Sequence, residues 1–205
     1  MSTPADSDFQ SLLVLAQAGD TAAVGEVLEP FRSYLSILAR VQIGRRLQRK
    51  IDPADVVQDT FLEAHRDFGQ FRGTTEGELS QWLRQILVRN LANLVRHYLG
   101  TQARDPRLER DLQEELDRSS RALDQQLVGK GSTPSQKAMR HEQTEQLADA
   151  LNRLADDYRE VILLRHLEGL PLAEVARRMH RSLDSVDKLW VRALAQLRRL
   201  LKEPS

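Results

Sequence analysis

Residues 171–201 read PLAEVARRMHRSLDSVDKLWVRALAQLRRLL, and the spacing of their apolar positions sets the fold. Val186, Leu189, Trp190, Ala193 and Leu197 recur at three- and four-residue steps, the period of one face of an α-helix. Ser182 stands just before that run as an N-cap, and Pro171 opens a shorter periodic stretch that ends near Met179. Two helices joined by a tight turn are expected, with small Ala176 letting them approach closely. Asp184, Lys188 and Ala195 fall opposite the apolar face of the second helix, and Ser185 and Arg192 lie on its flank. One sealed face and one small, polar, basic face near the amino end is the arrangement of a major-groove reader. Arg177, Arg178, Arg181, Lys188 and Arg192 surround the turn, where phosphates would be met. The competing reading is an ordinary antiparallel helix pair with a solvated charged surface. Trp190 is expected in the core, since it shares the sealed face. His180 occupies the turn position where glycine is usual, which demands a left-handed backbone or another turn shape. Asp184 has two readings: a helix-end charge that pairs with Lys188, or a carboxylate that accepts from a cytosine amine.

Working outward, Leu147, Leu151, Leu154, Tyr158, Val161 and Leu164 continue the helical period upstream despite the interruption at Asp156. This second block, residues 134–205, opens with Thr133 as N-cap and Pro134 at the first helical position, and breaks near Ala155-Asp156 and Gly169-Leu170-Pro171. Before it, residues 101–133 carry little apolar content and mixed charge, and end in Gly129-Lys130-Gly131-Ser132-Thr133. They read as a flexible linker holding a short helix near Leu108 to Leu116. A first block, residues 1–100, is helical from about Phe9 to Leu99 with breaks at Gly19-Asp20, Asp52-Pro53 and Arg72 to Gly77. No stretch alternates as a strand does, so the expected fold is all-α, two small helical domains with a linker between them.

Two stretches of the first block carry candidate surfaces. In DVVQDTFLEAHRDF, residues 55–68, Val57, Phe61, Ala64 and Phe68 form the core stripe, while Asp55, Asp59, Leu62 and Arg66 lie opposite. A leucine within an acidic row reads as a docking face for a basic protein partner, although a single exposed leucine is also normal. On the next helix Leu83, Leu87, Leu91, Leu94 and Tyr98 face inward, and Trp82, Arg89 and Arg96 follow one another at steps of seven on the other side. Aromatic and guanidinium groups on one exposed face stack on bases and hold phosphates. The preceding loop, FGQFRGTTEGELS, supplies Phe71, Arg72, Thr74 and Thr75 between glycines, a setting for an extruded base. For Trp82 the alternative is a half-buried core residue.

Composition narrows the classes. With 30 basic and 30 acidic residues the formal charge is +0, so DNA contact must come from local patches. Such patches exist: Arg40 to Lys50 and Trp82 to Arg104 hold bases and no acids. The absence of cysteine and of histidines at helical ligand spacing leaves no expected metal site or cofactor. No apolar run is long enough for a membrane span and no signal peptide is evident, so a cytoplasmic location is expected. Neither a phosphate loop nor a nucleophile and base pairing marks an enzyme.

DPADVVQDTFLEAHRDFGQFRG followed by WLRQILVRNLANLVR resembles region 2 of bacterial sigma factors, and LNRLADDYREVILLRHLEGLPLAEVARRMHRS with LWVRALAQLRRLL resembles region 4. Their order, with no region 3 domain between them, is similar to the extracytoplasmic-function (ECF) group of the sigma-70 family. The resemblance implies a non-enzymatic subunit that binds core RNA polymerase, recognises −35 and −10 promoter DNA and promotes opening. Asp55, Gln58, Asp59 and Leu62 match the motif that docks on the polymerase clamp. Phe71, Arg72, Thr74, Thr75, Trp82, Arg89, Asn93 and Arg96 match the segment that takes flipped −10 bases. Arg177, Arg178, Arg181, Ser182, Asp184, Ser185, Lys188 and Arg192 match the −35 reader. Val161, Leu164, Leu167, Leu197, Leu200 and Leu201 would receive the polymerase flap, and an anti-sigma protein is a further expected partner. A stand-alone helix-turn-helix regulator is the alternative, and it has no use for the first block. A purely protein-binding helical adaptor would show no salt-sensitive DNA binding.

Overall fold

Short polar side chains start the helices where the turn signals fall. Asp20 Oδ1 accepts from the N–H groups of Ala22 and Ala23 at 2.9 and 3.2 Å, and Asp52 Oδ1 from that of Ala54 at 2.9 Å, ahead of Pro53. These caps satisfy donors that the first helical turn leaves unpaired. The computed structural model describes residues 4–46, 51–99, 106–127 and 134–202. Thr133 as an N-cap, the flanks 100–105 and 128–133 of the expected linker, and the bases Arg49, Lys50 and Arg104 lie outside the described residues.

The first part of the chain forms α1 (Pro4–Gln17), α2 (Thr21–Leu28), α3 (Phe31–Arg46), α4 (Pro53–Asp67), a 3-10 turn (Phe68–Gln70) and α5 (Glu76–Leu99). Then come α6 (Pro106–Leu127), α7 (Pro134–Arg153), α8 (Asp156–Ile162) running into a π turn (Leu163–Leu167), α9 (Leu172–Arg178) and α10 (Leu183–Leu200). The described residues contain no strand, which agrees with the all-α expectation. None of their helices is long and apolar enough to cross a membrane.

The core centres on α3. Leu35, Ile37, Leu38, Ala39, Val41, Gln42 and Ile43 are all buried, so this helix is covered on nearly every side, packed by α4, α5, α6 and α7. Around it α4 contributes Val56, Val57 and Ala64, and α5 contributes Leu83, Leu87 and Leu91. Phe61 and Leu94 are only partly buried, and Tyr98 is 51% exposed, so the inward stripe of α5 ends before its last turn.

The segment expected to be a flexible linker with a short helix is instead mostly α6. Leu112, Leu116 and Leu123 are fully buried on it, and it packs against α5, α3, α7 and the π turn. Low overall apolar content hid an amphipathic stripe, in which a few leucines at near-helical steps suffice when every one is covered. Polar ties reinforce the contact. Tyr34 of α3 donates to Ser120 Oγ at 2.8 Å, Arg84 Nη1 of α5 donates to the Tyr34 hydroxyl at 3.1 Å, and Arg84 Nε lies 3.4 Å from Asp117. Arg84, one of the bases in the acid-free stretch, is thus an internal tie.

Arg159 is another element that periodicity did not reveal. It is 8% exposed, and its guanidinium donates to the carbonyls of Leu151, Asn152 and Leu154 and to Asp156. It therefore satisfies the carbonyls that the end of α7 leaves open and fixes the angle into α8. Helix α7 meets α3 through Ser33, whose hydroxyl donates to Asp149 and whose carbonyl accepts from Asn152 Nδ2 at 3.3 Å.

Candidate nucleic-acid interface

The loop between the 3-10 turn and α5 is built tightly. Thr75 and Glu78 form a reciprocal cap: Glu78 N–H donates to Thr75 Oγ1 at 3.2 Å, and Glu78 Oε2 accepts from Thr74 N, Thr75 N and Thr75 Oγ1 at 2.8, 3.0 and 2.9 Å. These donors hold the Glu78 carboxyl below the usual carboxylate range, with the Thr74 N–H the largest influence. The T-x-x-E spacing before an apolar run is a readable signature that sequence reasoning passed over. Gly73 lies so close to the Phe71 ring that a Cβ there would stand 2.4 Å from it. Arg72 Nη1 turns back to the Gly69 carbonyl at 2.6 Å.

Beneath this loop sit three aromatic rings. Phe68, Phe71 and Trp82 have centroids 5.3 to 5.9 Å apart. Phe71 is 4% exposed, so it is the floor of the loop and offers no face for a base to stack on, contrary to its expected direct role. Trp82 is half-buried against it, the bland one of its two readings, with part of the ring still open to solvent. Arg72, Thr74 and Thr75 are exposed. Along α5, Arg89 pairs with Glu63 at 2.7 Å. Arg96 hydrogen bonds to the exposed Asn93 and lies 3.7 Å from Glu109 of α6, which leaves its side chain 17% exposed. The steps of seven hold, but α6 covers the far end of the row.

On α4 the structure brings Asp55, Gln58, Asp59 and Leu62 together on an exposed face. Leu62 is 62% exposed. Arg66 is engaged with Asp67 at 2.9 Å, and among the described residues Asp55 and Asp59 have no ionic partner. A carboxylate row around an exposed apolar residue is complementary to a basic, apolar surface.

Ser182 caps α10 as expected, its Oγ accepting from Ser185 N at 3.2 Å. His180 adopts φ 52°, the left-handed region. Arg181 N–H reaches the Ala176 carbonyl at 3.0 Å and His180 N–H the Arg177 carbonyl at 3.2 Å. This is the Schellman termination of α9, made with histidine where glycine is usual. The bases around the turn are mostly paired. Arg177 pairs with Glu174 at 2.6 Å, Arg178 with Glu168 at 2.9 Å, Arg181 with Asp157 at 2.5 Å, and Lys188 with Asp184 at 2.7 Å. Of these bases Arg192 alone has no ionic partner among the described residues. Exposed Leu183 and Val191, which sequence reasoning did not single out, add apolar surface to α10. Trp190 is partly buried and donates from Nε1 to His166 Nε2 at 3.0 Å, tying α10 to the π turn.

The expected flap surface is largely interior. Val161, Leu164, Leu167, Leu197 and Leu200 are buried, and only Leu201 is exposed, at 41%. Helices α8 and α10 close on each other, and α3 and α6 cover the π turn that carries Leu164 and Leu167. Apolar periodicity marks what is covered without saying by what.

The sequence is similar to those of known proteins. Residues 144–197 match the family described as Sigma-70, region 4. The chain is 30% identical over 203 residues to the ECF RNA polymerase sigma factor BldN of Streptomyces coelicolor, covering 97% of this chain and 69% of that one. It is 29% identical over 170 residues to the ECF RNA polymerase sigma-E factor of Haemophilus influenzae, covering 83% and 82%. Among solved structures, one of the RsbN–BldN complex is similar with 26% identity and a TM-score of 0.32, covering 92% of this chain and 98% of the matched one.

Proposed function

The chain belongs to the ECF group of sigma-70 family RNA polymerase sigma factors, and from that premise we propose how its surfaces divide the work of initiation. It is an alternative sigma factor, with core RNA polymerase and promoter DNA as its partners. In the proposed division, residues 1–100 dock and open, residues 134–205 read the −35 element, and 101–133 join them. Asp55, Gln58, Asp59 and Leu62 meet a basic, apolar surface of the polymerase clamp. The exposed Arg72, Thr74 and Thr75, with the open part of Trp82 and the α5 residues Arg89, Asn93 and Arg96, receive unstacked −10 bases and their phosphates. Phe71 supports them from below.

Helix α10 enters the major groove with Asp184, Ser185, Lys188 and Arg192, while Arg177, Arg178, Arg181 and Ser182 face the backbone. Docking sets the two DNA-reading surfaces at a fixed separation, so modest affinities act together. The energy for opening is binding energy: captured bases offset a few kcal/mol, roughly, per unstacked step. No bond is made or broken by this chain, which works as a non-enzymatic, cytoplasmic subunit that needs no cofactor, and an anti-sigma protein is a natural restraint on it. Leu201 is the open part of the flap-facing surface; Leu164 and Leu167 would join it only once the contact with α3 and α6 parts.

The observation that carries this reading is the capped loop at residues 71–75 together with a helix-turn-helix in the same chain. A stand-alone regulator has no need of the first. Run-off transcription with core polymerase and genomic promoter fragments tests it: chain-dependent transcripts that fall sharply when either the 71–75 loop or the exposed face of α10 is altered are expected. Transcription indifferent to the loop would overturn it.

A further inference from the structure

Two side chains of α1 also reach the loop that Glu78 caps. Gln10 Nε2 donates to the Thr74 carbonyl at 2.6 Å, and Gln17 Nε2 donates to the Gly73 carbonyl at 2.9 Å. They stand 64 and 56 residues upstream of their partners, and seven positions apart they share one face of α1. Since both acceptors are carbonyls, only the amide nitrogens can face them. Helix α1 also packs against the Phe68–Gln70 turn from which the loop leaves.

Surface loops normally leave such carbonyls to water. Here Thr74 is held by its carbonyl from α1 and by its N–H from Glu78. Gly73 is held by its carbonyl and by the Phe71 ring beneath it. Neither glutamine caps a helix end, and both bonds are solvent-exposed, so little stability is gained from them. What they do is remove the freedom of two consecutive peptide groups at the point where the exposed Thr74 side chain projects.

We propose that Gln10 and Gln17 are positioning residues for −10 base discrimination, holding the Gly73 and Thr74 peptides in the one register in which the loop accepts its preferred base. The inference rests on the proposed role of the 71–75 loop. A base edge is told from another by donors and acceptors at fixed places, so a loop free to shift adapts to the wrong base. Selectivity, more than affinity, should depend on the two amides.

The test uses the full chain assembled with core polymerase and single-stranded non-template oligonucleotides varied one base at a time across the −10 positions. The readout is the affinity ratio of the best-bound oligonucleotide to its single-base variants. Gln10→Met with Gln17→Met keeps length and neutrality but loses both donors, and should lower the ratio by about tenfold, the size of one base discrimination lost. Gln10→Lys with Gln17→Lys keeps donors, and should retain the ratio while raising affinity for every oligonucleotide through added charge. Core binding, −35 duplex binding and thermal unfolding should be unchanged in both. An unchanged ratio in the methionine variant, or an equal loss in both variants, overturns the proposal. Thr74→Val and Gly73→Ala separate it from its premise. If neither moves the ratio, the loop does not take the base. If both collapse it while the methionine variant does not, only the role of the glutamines is lost.

Discussion

Leu62 protrudes between Asp59 and Arg66 and is uncovered among the described residues, while Val57 and Ala64 on the same helix are buried. Substituting it should therefore alter a partner's surface and leave the fold alone. Leu62→Arg is expected to weaken pull-down of core polymerase at least tenfold, the usual size of a central apolar contact, with thermal unfolding nearly unchanged. Asp184 gains a definite local role, because its carboxylate holds Lys188 at 2.7 Å in the first turn of α10. Asp184→Ala should release Lys188 toward phosphate and strengthen binding to unrelated duplexes, while removing roughly 0.3 to 1 kcal/mol of helix-end stabilisation. A series of single-base −35 variants checks this. If discrimination drops at one position by about 1 to 3 kcal/mol, the carboxylate reads a base instead.

At the scale of elements, the hydrogen bond from Trp190 to His166 joins α10 to the π turn. The bond requires an unprotonated Nε2, so the imidazole must be neutral. Burial first, and Arg165 second, lower the His166 pKa below its ordinary value of 6.5. A group whose folded pKa is depressed stabilises fully above its unfolded pKa and loses that contribution as pH falls toward the folded one. The unfolding temperature should therefore decline as pH drops below about 6.5, and −35 duplex affinity with it as α10 loosens. His166→Gln, which offers a carbonyl acceptor and does not titrate, should flatten this part of the profile; an unaltered slope would place the titrating group elsewhere.

Across the whole molecule, α6 adds to the direct α3–α7 contact between the halves, since it packs against α3 and α5 of the first and against α7 and the π turn of the second. Leu116 is fully buried on it. Leu116→Ala should cost about 2 to 5 kcal/mol, as cavities in cores do, and should give two separate transitions for the two halves, against a single one expected for the parent. Limited proteolysis should then cut first within α6. If calorimetry of the variant shows a single transition shifted as a whole, α6 is not the coupling element.

Local chemistry needs little context, and here it was legible in the residues themselves. The caps at Asp20, Asp52 and Ser182, the turn at His180, the outward Leu62 and the Asp184–Lys188 pair each depend on neighbours within about one helical turn. Helical period likewise showed most of the residues that would be covered, Tyr98 being an exception. What covers them depends on helices far apart in the chain, and only the tertiary structure decided it. Phe71 became a floor, Leu164 and Leu167 turned against α3 and α6, Arg84 became an internal tie, and the supposed linker became a buried helix. Gln10 and Gln17 belong to the same class: a polar side chain on an exposed helix face has no periodic signature. Its role exists only because α1 folds back over a loop that begins more than fifty residues later.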